Sequence, residues 1–251
     1  MNKYNSALIT GATSGIGHAF AMLLPPTTSL VLTGRSVQQL SRLAEDLSSG
    51  DRIVRTVSAD LGTAEGRGRV IKTAQECSVD LLISNAGNGF AGLFGTTPVA
   101  AEQASLSVNV IATVELLHAL IGPMIENAKR EGGRCGVIVV SSRGGLGACP
   151  NLATYGASKA FQLRLVESIA LERRDEPIDL LALCPTYTDT NFFARAGLPA
   201  PPKWVSAETA AREGLSALGN RVTHRCYGPW ERPIILRRTL SAVRQVLSGH
   251  A

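Results

Sequence analysis

The start of the chain passes from a short apolar run into a glycine-rich turn and then into a helical pattern. Residues 7–10 have the composition of a buried strand, and residues 18–24 carry apolar side chains at helical spacing. Gly11, Gly15 and Gly17 lie between them and allow a tight turn with close approach of a ligand. Free amides and the helix dipole attract phosphate at such a helix start. The pattern predicts strand, phosphate loop and helix in an α/β fold; a plain glycine turn is the alternative.

Apolar strand candidates alternate with helical segments along the rest of the chain. Strands separated by helices are typical of right-handed crossovers and of a parallel sheet covered on both faces. The sequence shows no linker, repeat or low-complexity tract, so we expect a single Rossmann-like, doubly wound α/β domain over residues 1–251. The further strand candidates are residues 29–33, 53–59, 80–84, 137–141, 178–184 and an edge strand at 221–227.

Tyr155 and Lys159 stand four residues apart in a segment with helical spacing. At this spacing both side chains project from one helix face, so the ammonium can stabilise a phenolate. A free phenol titrates near pH ~10, and a nearby cation lowers its pKa. The pair therefore predicts an acid/base centre; a core-facing ring beside a solvated charge is the alternative.

From Ser6 to about Tyr227 the chain resembles the short-chain dehydrogenase/reductase family. The matching motifs stand in the family's order. They are the TGATSGIG loop at residues 10–17, Asp60, Asn85-Ala86-Gly87, Asn109, the Ser141–Ser142 pair, and Tyr155 with Lys159. Ser142, not Ser141, stands at the family's distance before Tyr155. The resemblance implies the same single-domain fold, a nicotinamide dinucleotide and an oxidoreductase activity.

The resemblance also implies a role for each catalytic residue. Tyr155 exchanges a proton with the substrate oxygen, and Ser142 hydrogen-bonds and orients that oxygen. Lys159 lowers the Tyr155 pKa and holds the nicotinamide ribose, while Asn109 keeps a water in a proton relay to Lys159. The implied cofactor contacts are Gly11, Thr13, Ser14, Gly15, Ile16, Gly17, Arg35, Asp60, Leu61, Asn85, Ala86, Gly87, Tyr155, Lys159, Pro185, Thr188 and Thr190.

The choice of dinucleotide depends on the end of the second strand, where Gly34 and Arg35 stand. An acidic residue there would bind the ribose hydroxyls of NAD and repel a 2′-phosphate. A guanidinium instead pairs bidentately with that phosphate. We therefore predict NADP(H), with NAD(H) as the alternative if Arg35 is an ordinary surface arginine.

One departure from the family pattern follows the sixth strand, where Thr186 replaces the usual glycine after Pro185. A β-branched residue resists conformations that glycine adopts, so this loop is expected to follow a different path. Residues 188–205 stand where the family has a mobile substrate lid. Their aromatic side chains form either an apolar cover or a connection packed on the core.

The predicted activity is hydride transfer between the nicotinamide and an apolar aldehyde, ketone or secondary alcohol. A catalytically silent NADP-binding sensor or interaction protein on the same fold is the alternative. The substrate's identity and the direction of reaction do not follow from the residues.

Charge and cysteine content complete the sequence-based expectations. The net charge is +5, but the basic residues are scattered, so we expect no nucleic-acid partner. The five cysteines form no metal-binding spacing, which favours free thiols, no metal and a cytoplasmic location. No apolar run approaches the ~20 residues of a membrane span. A C-terminal amphipathic helix is predicted at about 233–247, and the family resemblance implies a homodimer or homotetramer.

Overall fold

The computed structural model describes residues 4–226, except residues 49 and 51. The predicted C-terminal helix at 233–247 lies outside the described residues. The strands are β1 (Ser6–Thr10), β2 (Ser29–Gly34), β3 (Val54–Ser58), β4 (Leu81–Ser84), β5 (Cys135–Val140), β6 (Ile178–Cys184), β7 (Thr188–Asp189), β8 (Val205–Ser206) and β9 (Thr223–Arg225).

Seven of these strands form one sheet in the order β3-β2-β1-β4-β5-β6-β9, and β7 pairs with β8 in a separate small sheet. Every pairing in the large sheet is parallel. The order runs outward from β1 toward β3 on one side and from β4 toward β9 on the other. This topology confirms the single Rossmann-like, doubly wound α/β domain.

Helices cover both faces of the large sheet. They are α1 (Gly15–Leu23), α2 (Val37–Leu47), α3 (Ala64–Glu76), α4 (Val99–Leu106), α5 (Ala112–Glu131), α6 (Ala153–Glu172), α7 (Phe192–Ala196) and α8 (Ala207–Ala217). A π-helical turn, Ser107–Ile111, joins α4 to α5, and a 3₁₀ turn, Arg143–Leu146, follows β5. The long helices belong to the connections between parallel strands, as right-handed crossovers require.

Alternation along the strands divides the core into two apolar layers. Leu8 and Leu82 belong to the layer that includes side chains of α3, α5 and α6. Ile9 and Leu81 belong to the layer that includes side chains of α1, α2 and α8. Burying one such side chain contributes roughly 1.5–3 kcal/mol, so the two layers fix the register of the sheet.

The observed strand ends differ from the predicted ones by a few residues. β5 begins at Cys135, whereas the sequence predicted residue 137. Gly136 weakens the strand pattern in the sequence, but the structure requires a glycine there. A Cβ on Gly136 would lie 2.6 Å from the Tyr4 hydroxyl oxygen. The contact with Tyr4 thus explains why β5 contains Gly136, although glycine is disfavoured inside strands.

The continuous helical segment Val99–Glu131 corrects one expectation. It is 33 residues long, and by length and composition alone it could cross a membrane. Polar residues interrupt the apolar ones in this segment, so it contains no continuous apolar run of that length. Half of its most apolar window is buried inside the fold. Leu116 and Leu120 of α5 show this burial, since they lie in the apolar layer against the sheet.

The predicted motifs all meet at one edge of the large sheet. The glycine loop follows β1, residues 85–87 follow β4, Ser141 and Ser142 follow β5, and Pro185 follows β6. Each motif therefore stands at the carboxyl end of a parallel strand. The strand order reverses between β1 and β4, which opens a crevice at that edge.

Candidate active site

The glycine loop forms one wall of the crevice. Its glycine positions leave no room for a side chain. Gly11 and Gly15 have φ of +65° and +56°, which favour glycine over other residues. A Cβ on Gly17 would lie 2.3 Å from the Gly11 carbonyl oxygen. Ser14 caps α1 in an extended conformation, and its side chain makes no capping hydrogen bond. The first amides of α1 are therefore open to an anion.

Asn85 ties the end of β4 to this loop. Its side-chain amide donates to the Thr10 and Gly11 carbonyl oxygens at 2.9 and 3.3 Å. The buried Thr10 hydroxyl oxygen accepts from the amides of Asn85 and Ala86, both at 2.9 Å. Asn85 and Thr10 therefore fix the shape of the loop through hydrogen bonds with its backbone. Sequence analysis assigned Asn85 to the site but did not single out the Thr10 side chain.

Gly34, Arg35, Asp60 and Leu61 form the end of the crevice beyond the glycine loop. A Cβ on Gly34 would meet the Thr13 side chain at 2.9 Å, so β2 ends close against the loop. The Asp60 carboxylate accepts from the Gly62 amide at 2.9 Å and so shapes the turn after β3. Arg35 is exposed, and its guanidinium makes no ion pair with any residue that the structure describes. The guanidinium is thus available to an anionic ligand.

Ser142, Tyr155 and Lys159 meet at the other end of the crevice. Ser142 and Tyr155 line the same part of the cavity, and Lys159 Nζ lies 5.8 Å from the centre of the Tyr155 ring. Burial raises the pKa of Tyr155 to about 12, while hydrogen bonding by the Ser142 side chain opposes that rise. Burial also lowers the pKa of Lys159 to about 8. At neutral pH the phenol is therefore protonated and the amine charged. The predicted lowering of the Tyr155 pKa by Lys159 was wrong, because burial of the phenol dominates and raises that pKa.

Ser141 and Ser142 have different contacts although they are adjacent. Ser141 is buried, and its hydroxyl donates to the Lys159 carbonyl oxygen at 2.8 Å. Ser142 faces the cavity, and its oxygen also accepts from the Gly144 amide at 3.0 Å. The structure thus places the serine that the sequence selected next to the tyrosine, and uses the other to hold α6 against β5.

Asn109 lies in the π-helical turn and is completely buried. Its side chain accepts from the Asn88 amide at 3.1 Å, and it donates to the Asn88 carbonyl and the Ser158 hydroxyl, both at 2.9 Å. These contacts hold the segment after β4 against α6. Turns of the π type occur often near functional sites, because they redirect one residue of a helix.

Gln162 is a site residue that the sequence analysis missed. It lies one turn after Lys159 on α6, is fully buried, and accepts a hydrogen bond from Lys159 Nζ at 2.9 Å. Lys159 Nζ also donates to the Val140 carbonyl oxygen at 2.8 Å. A polar residue three positions after Lys159 in an otherwise apolar stripe was the available signal.

The segment after β6 passes over the same crevice. Pro185 accepts from the Arg143 amide at 2.9 Å, and Thr188 donates to the Thr186 carbonyl oxygen at 2.9 Å. Thr186 is buried and does not have a positive φ, so a β-branched residue fits this loop without strain. Thr190 packs against the glycine loop: a Cβ on Gly15 would lie 2.8 Å from its methyl carbon.

Residues 188–205 form a loop that is closed at its base. Thr188 pairs with Val205 and Asp189 with Ser206, so β7 and β8 hold the two ends together. Between them, Phe192 of α7 packs on Tyr155 with ring centres 4.8 Å apart. The segment therefore places an apolar side chain over Tyr155, as the first of the two alternatives from the sequence expects.

One cavity of about 1070 Å³ joins these parts. The predicted site residues, all of which the structure describes, line it with two exceptions, Gly17 and Asn109. Both exceptions stand directly behind the cavity wall, where Gly17 packs on Gly11 and Asn109 binds Asn88. The site is therefore continuous from Arg35 to Tyr155.

The cavity fits a dinucleotide by its chemistry as well as its length. The glycine-lined wall would let backbone amides come close to a bound phosphate. Arg35 supplies a positive charge at the far end of the cavity. Two buried polar atoms in residues that line it, Thr33 Oγ1 and Asn88 Oδ1, have no hydrogen-bond partner among the residues that the structure describes. Buried polar atoms are normally paired, so these two favour a polar ligand in the cavity.

A second polar group lies apart from the cavity. Glu213, His224 and Cys226 bring their ligand atoms within 4.8 Å of one another, a group that the sequence analysis did not anticipate. His224 Nε2 lies 2.8 Å from a Glu213 carboxylate oxygen. Burial and the neighbouring Glu213 raise the pKa of the Cys226 thiol. The contacts of Glu213 with His224 and Cys226 make these three residues a polar network near the edge strand β9.

Residues 5–198 match the family model described as short chain dehydrogenase. The chain belongs to the short-chain dehydrogenase/reductase family. The match covers the glycine loop, β4, α6 and the start of the cover, so it confirms the resemblance that the sequence motifs indicated.

Relatives and solved structures agree with this membership. Dehydrogenase/reductase SDR family member 4 of Bos taurus is 34% identical over 190 residues, which are 74% of this chain and 66% of that protein. A short-chain dehydrogenase from Sphingobium yanoikuyae in complex with NADPH is 25% identical, with a TM-score of 0.78 over 98% of this chain and 96% of that one. One from Burkholderia phymatum in complex with NAD has a TM-score of 0.80 at 21% identity over 97% and 96%.

Proposed function

We propose that this protein is an NADP(H)-dependent oxidoreductase that interconverts an apolar carbonyl compound and its secondary or primary alcohol, with Tyr155 as the acid/base. The observation that carries the proposal is the continuous cavity, which has a phosphate loop at one end and the Ser142–Tyr155–Lys159 cluster at the other. The nicotinamide, when bound, supplies or takes up the hydride. The protein's own residues position the substrate and handle the proton.

Reduction requires a proton donor at the substrate oxygen. As negative charge develops there, the Tyr155 O–H bond breaks and its proton forms a new O–H bond with the substrate. Burial keeps the pKa of Tyr155 at about 12, so the phenol is in its donor form at neutral pH. In the reverse direction the phenolate accepts the proton of the alcohol.

Ser142 and Lys159 support this transfer in different ways. Ser142 and Tyr155 line the same part of the cavity, so an oxygen placed beside both hydroxyls would receive two donors. Lys159 carries its positive charge close to the tyrosine ring and stabilises the phenolate that remains after proton donation. Ser142 would therefore stabilise negative charge on the substrate oxygen, and Lys159 would stabilise negative charge on the Tyr155 oxygen.

The preference for NADP(H) rests on Arg35. Its guanidinium is exposed at the end of β2, and no acidic residue stands beside it in the loop of residues 34–36. A 2′-phosphate there would gain a charge-assisted, bidentate contact. The solved relatives include one in complex with NADPH and one in complex with NAD, so the preference proposed here depends on Arg35.

The substrate side of the cavity is mainly apolar. Its walls come from Phe90 and Leu152 on one side and from Phe192, Phe193 and Leu198 of the cover on the other. Phe193 also contacts Tyr187, with ring centres 5.8 Å apart. An apolar carbonyl substrate would therefore lose its water on entry and meet Tyr155 and Ser142 as its polar partners.

Assembly into a homodimer or homotetramer is part of the proposal. Large apolar side chains are exposed on the outer faces of α4 to α6, including Leu106, Ile111, Val114 and Phe161. Burial of these side chains against a second copy would remove an apolar patch from water. Sedimentation at micromolar concentration should give a mass of at least two chains; a monomeric mass would contradict this part.

The test is Tyr155→Phe, assayed with NADPH against a panel of apolar aldehydes and ketones. We expect loss of turnover, because phenylalanine keeps the ring and removes the proton. Dinucleotide affinity, measured by fluorescence titration, should stay within about threefold of wild type, since the glycine loop is unchanged. Substantial residual turnover would refute the role of Tyr155. Absence of turnover in the wild-type protein, with tight dinucleotide binding, would instead favour a sensor.

A further inference from the structure

The amide of Gln162 lies between two parts of the catalytic centre. Its Oε1 accepts from Lys159 Nζ at 2.9 Å. Its Nε2 donates to the Asn109 carbonyl oxygen at 2.8 Å and to the Thr113 hydroxyl oxygen at 2.9 Å. Gln162 is completely buried, so these contacts satisfy all of its strong hydrogen-bonding groups inside the protein.

The chemistry of the neighbours fixes the orientation of this amide. An ammonium can only donate, so the oxygen of Gln162 must face Lys159. The Asn109 carbonyl can only accept, so the nitrogen must face Asn109. Rotating the amide by half a turn would place donor against donor and acceptor against acceptor. The observed orientation is therefore the one that the surroundings allow.

The Asn109 carbonyl oxygen is fully occupied by this arrangement. Besides Gln162 Nε2, it accepts from the Thr113 hydroxyl at 2.8 Å. A carbonyl oxygen has two lone pairs, so these two side chains use its capacity. The Asn109 side chain donates to Asn88 and Ser158 and accepts one hydrogen bond from Asn88. A relay water bound to the Asn109 backbone carbonyl would have to displace Gln162 or Thr113.

We infer that Gln162 is the positioning residue of Lys159, and that its amide takes the place of a water between the ammonium and the Asn109 carbonyl. The amide holds the ammonium through one fixed acceptor, and Val140 supplies the second. The remaining N–H of Lys159 is then left for the cavity. Gln162 acts on the reaction through Lys159 and does not line the cavity itself.

Two substitutions separate this role from simple packing. Gln162→Leu keeps most of the volume but gives Lys159 no acceptor and excludes water. Gln162→Ala removes the amide but leaves room for a water, whose partners would be Lys159 Nζ, Asn109 O and Thr113 Oγ1. A positioning role predicts that alanine is tolerated better than leucine in catalysis. A packing role predicts the opposite order, because alanine leaves the larger cavity.

The first measurement does not need a cofactor or a substrate. Lysine labelled at Cε would report the pKa of Lys159 by NMR in the ligand-free protein, with Lys159→Met for assignment. The acceptor on Gln162 stabilises the charged amine, so its loss lowers the pKa. We expect Gln162→Leu to lower the pKa by about one unit and Gln162→Ala by no more than a few tenths. An unchanged pKa in the leucine variant would overturn the inference.

The second measurement is the kinetic counterpart and rests on the proposed function. We expect kcat to fall by about tenfold or more in Gln162→Leu and to stay within about threefold in Gln162→Ala, with KM for the dinucleotide little changed in either. Equal losses in both variants, or a larger loss in alanine, would contradict the role. If the leucine variant does not fold, Gln162→Met replaces it as the unbranched match in volume. A wild-type protein without turnover would refute the proposed function and leave the NMR comparison valid.

Discussion

The glycine-loop end of the cavity, residues 11–17, is built from backbone atoms. The proposed catalytic end, which holds Ser142, Tyr155 and Lys159, is built from side chains. In the loop, the decisive property is the absence of Cβ atoms, and all the residues are close in sequence. The catalytic side chains follow β5 or lie on α6, and they depend on partners from the π-helical turn and α5. The two ends should therefore fail in different ways when they are mutated.

The largest expected effect is on the catalytic end. Ser142→Ala should lower kcat by about 10²–10³, because one donor to the developing oxyanion is lost. Dinucleotide affinity should stay near the wild-type value. Steady-state kinetics together with a binding titration would check both.

The neighbouring serine supplies the matched control. Ser141→Ala removes the hydrogen bond to the Lys159 carbonyl, so it should cost about 1 kcal/mol of unfolding free energy with a smaller kinetic effect. Thermal unfolding measures the first and kcat the second. If Ser141→Ala and Ser142→Ala lowered kcat equally, the different roles assigned to the two serines would be wrong.

Gly17→Ala tests the backbone-built end. The new Cβ would lie 2.3 Å from the Gly11 carbonyl oxygen and 2.5 Å from the Asn85 amide, and the loop cannot relax without losing those contacts. We expect a loss of about 3 kcal/mol in unfolding free energy and a marked loss of dinucleotide affinity. Denaturant unfolding and fluorescence titration are the measurements.

Gly68→Ala is the control for that substitution. Gly68 lies in α3, and a Cβ there would meet nothing within 4 Å. Alanine should stabilise the helix by about 0.5–1 kcal/mol and leave dinucleotide binding unchanged. A similar destabilisation at both positions would mean that the closeness of Gly17 to Gly11 is not what restricts the loop.

Among the three main substitutions, Ser142→Ala, Gly17→Ala and Arg35→Asp, the last has the smallest expected effect. It sharpens the comparison because a side chain, Arg35, is expected to set the cofactor preference at the backbone-built end. The carboxylate would repel a 2′-phosphate and accept from ribose hydroxyls. The ratio of kcat/KM for NADPH to that for NADH should fall roughly 10- to 100-fold. Arg35→Gln, which removes the charge alone, should give an intermediate ratio. An unchanged preference in both variants would remove Arg35 as the basis of the NADP assignment.

Much of the site could be predicted from local patterns. The glycine loop, Asn85, Ser142, Tyr155 and Lys159 were placed from motifs and spacing, and the structure brings them around one cavity. Thr10 and Gln162 were missed, because their importance comes from hydrogen bonds to residues far away in the chain. The lid was left with two interpretations, since its closure depends on the pairing of β7 with β8.

The sequence by itself determined the family, the doubly wound fold and the relation of Tyr155 to Lys159. These follow from short-range rules: glycine conformations, the period of a strand and the four-residue spacing on a helix face. The tertiary structure decided that Gln162 binds Lys159, that Gln162 and Thr113 both donate to the Asn109 carbonyl, and that Phe192 covers Tyr155. Such contacts depend on how separate elements pack, because a buried polar group must find its partner wherever the fold places one.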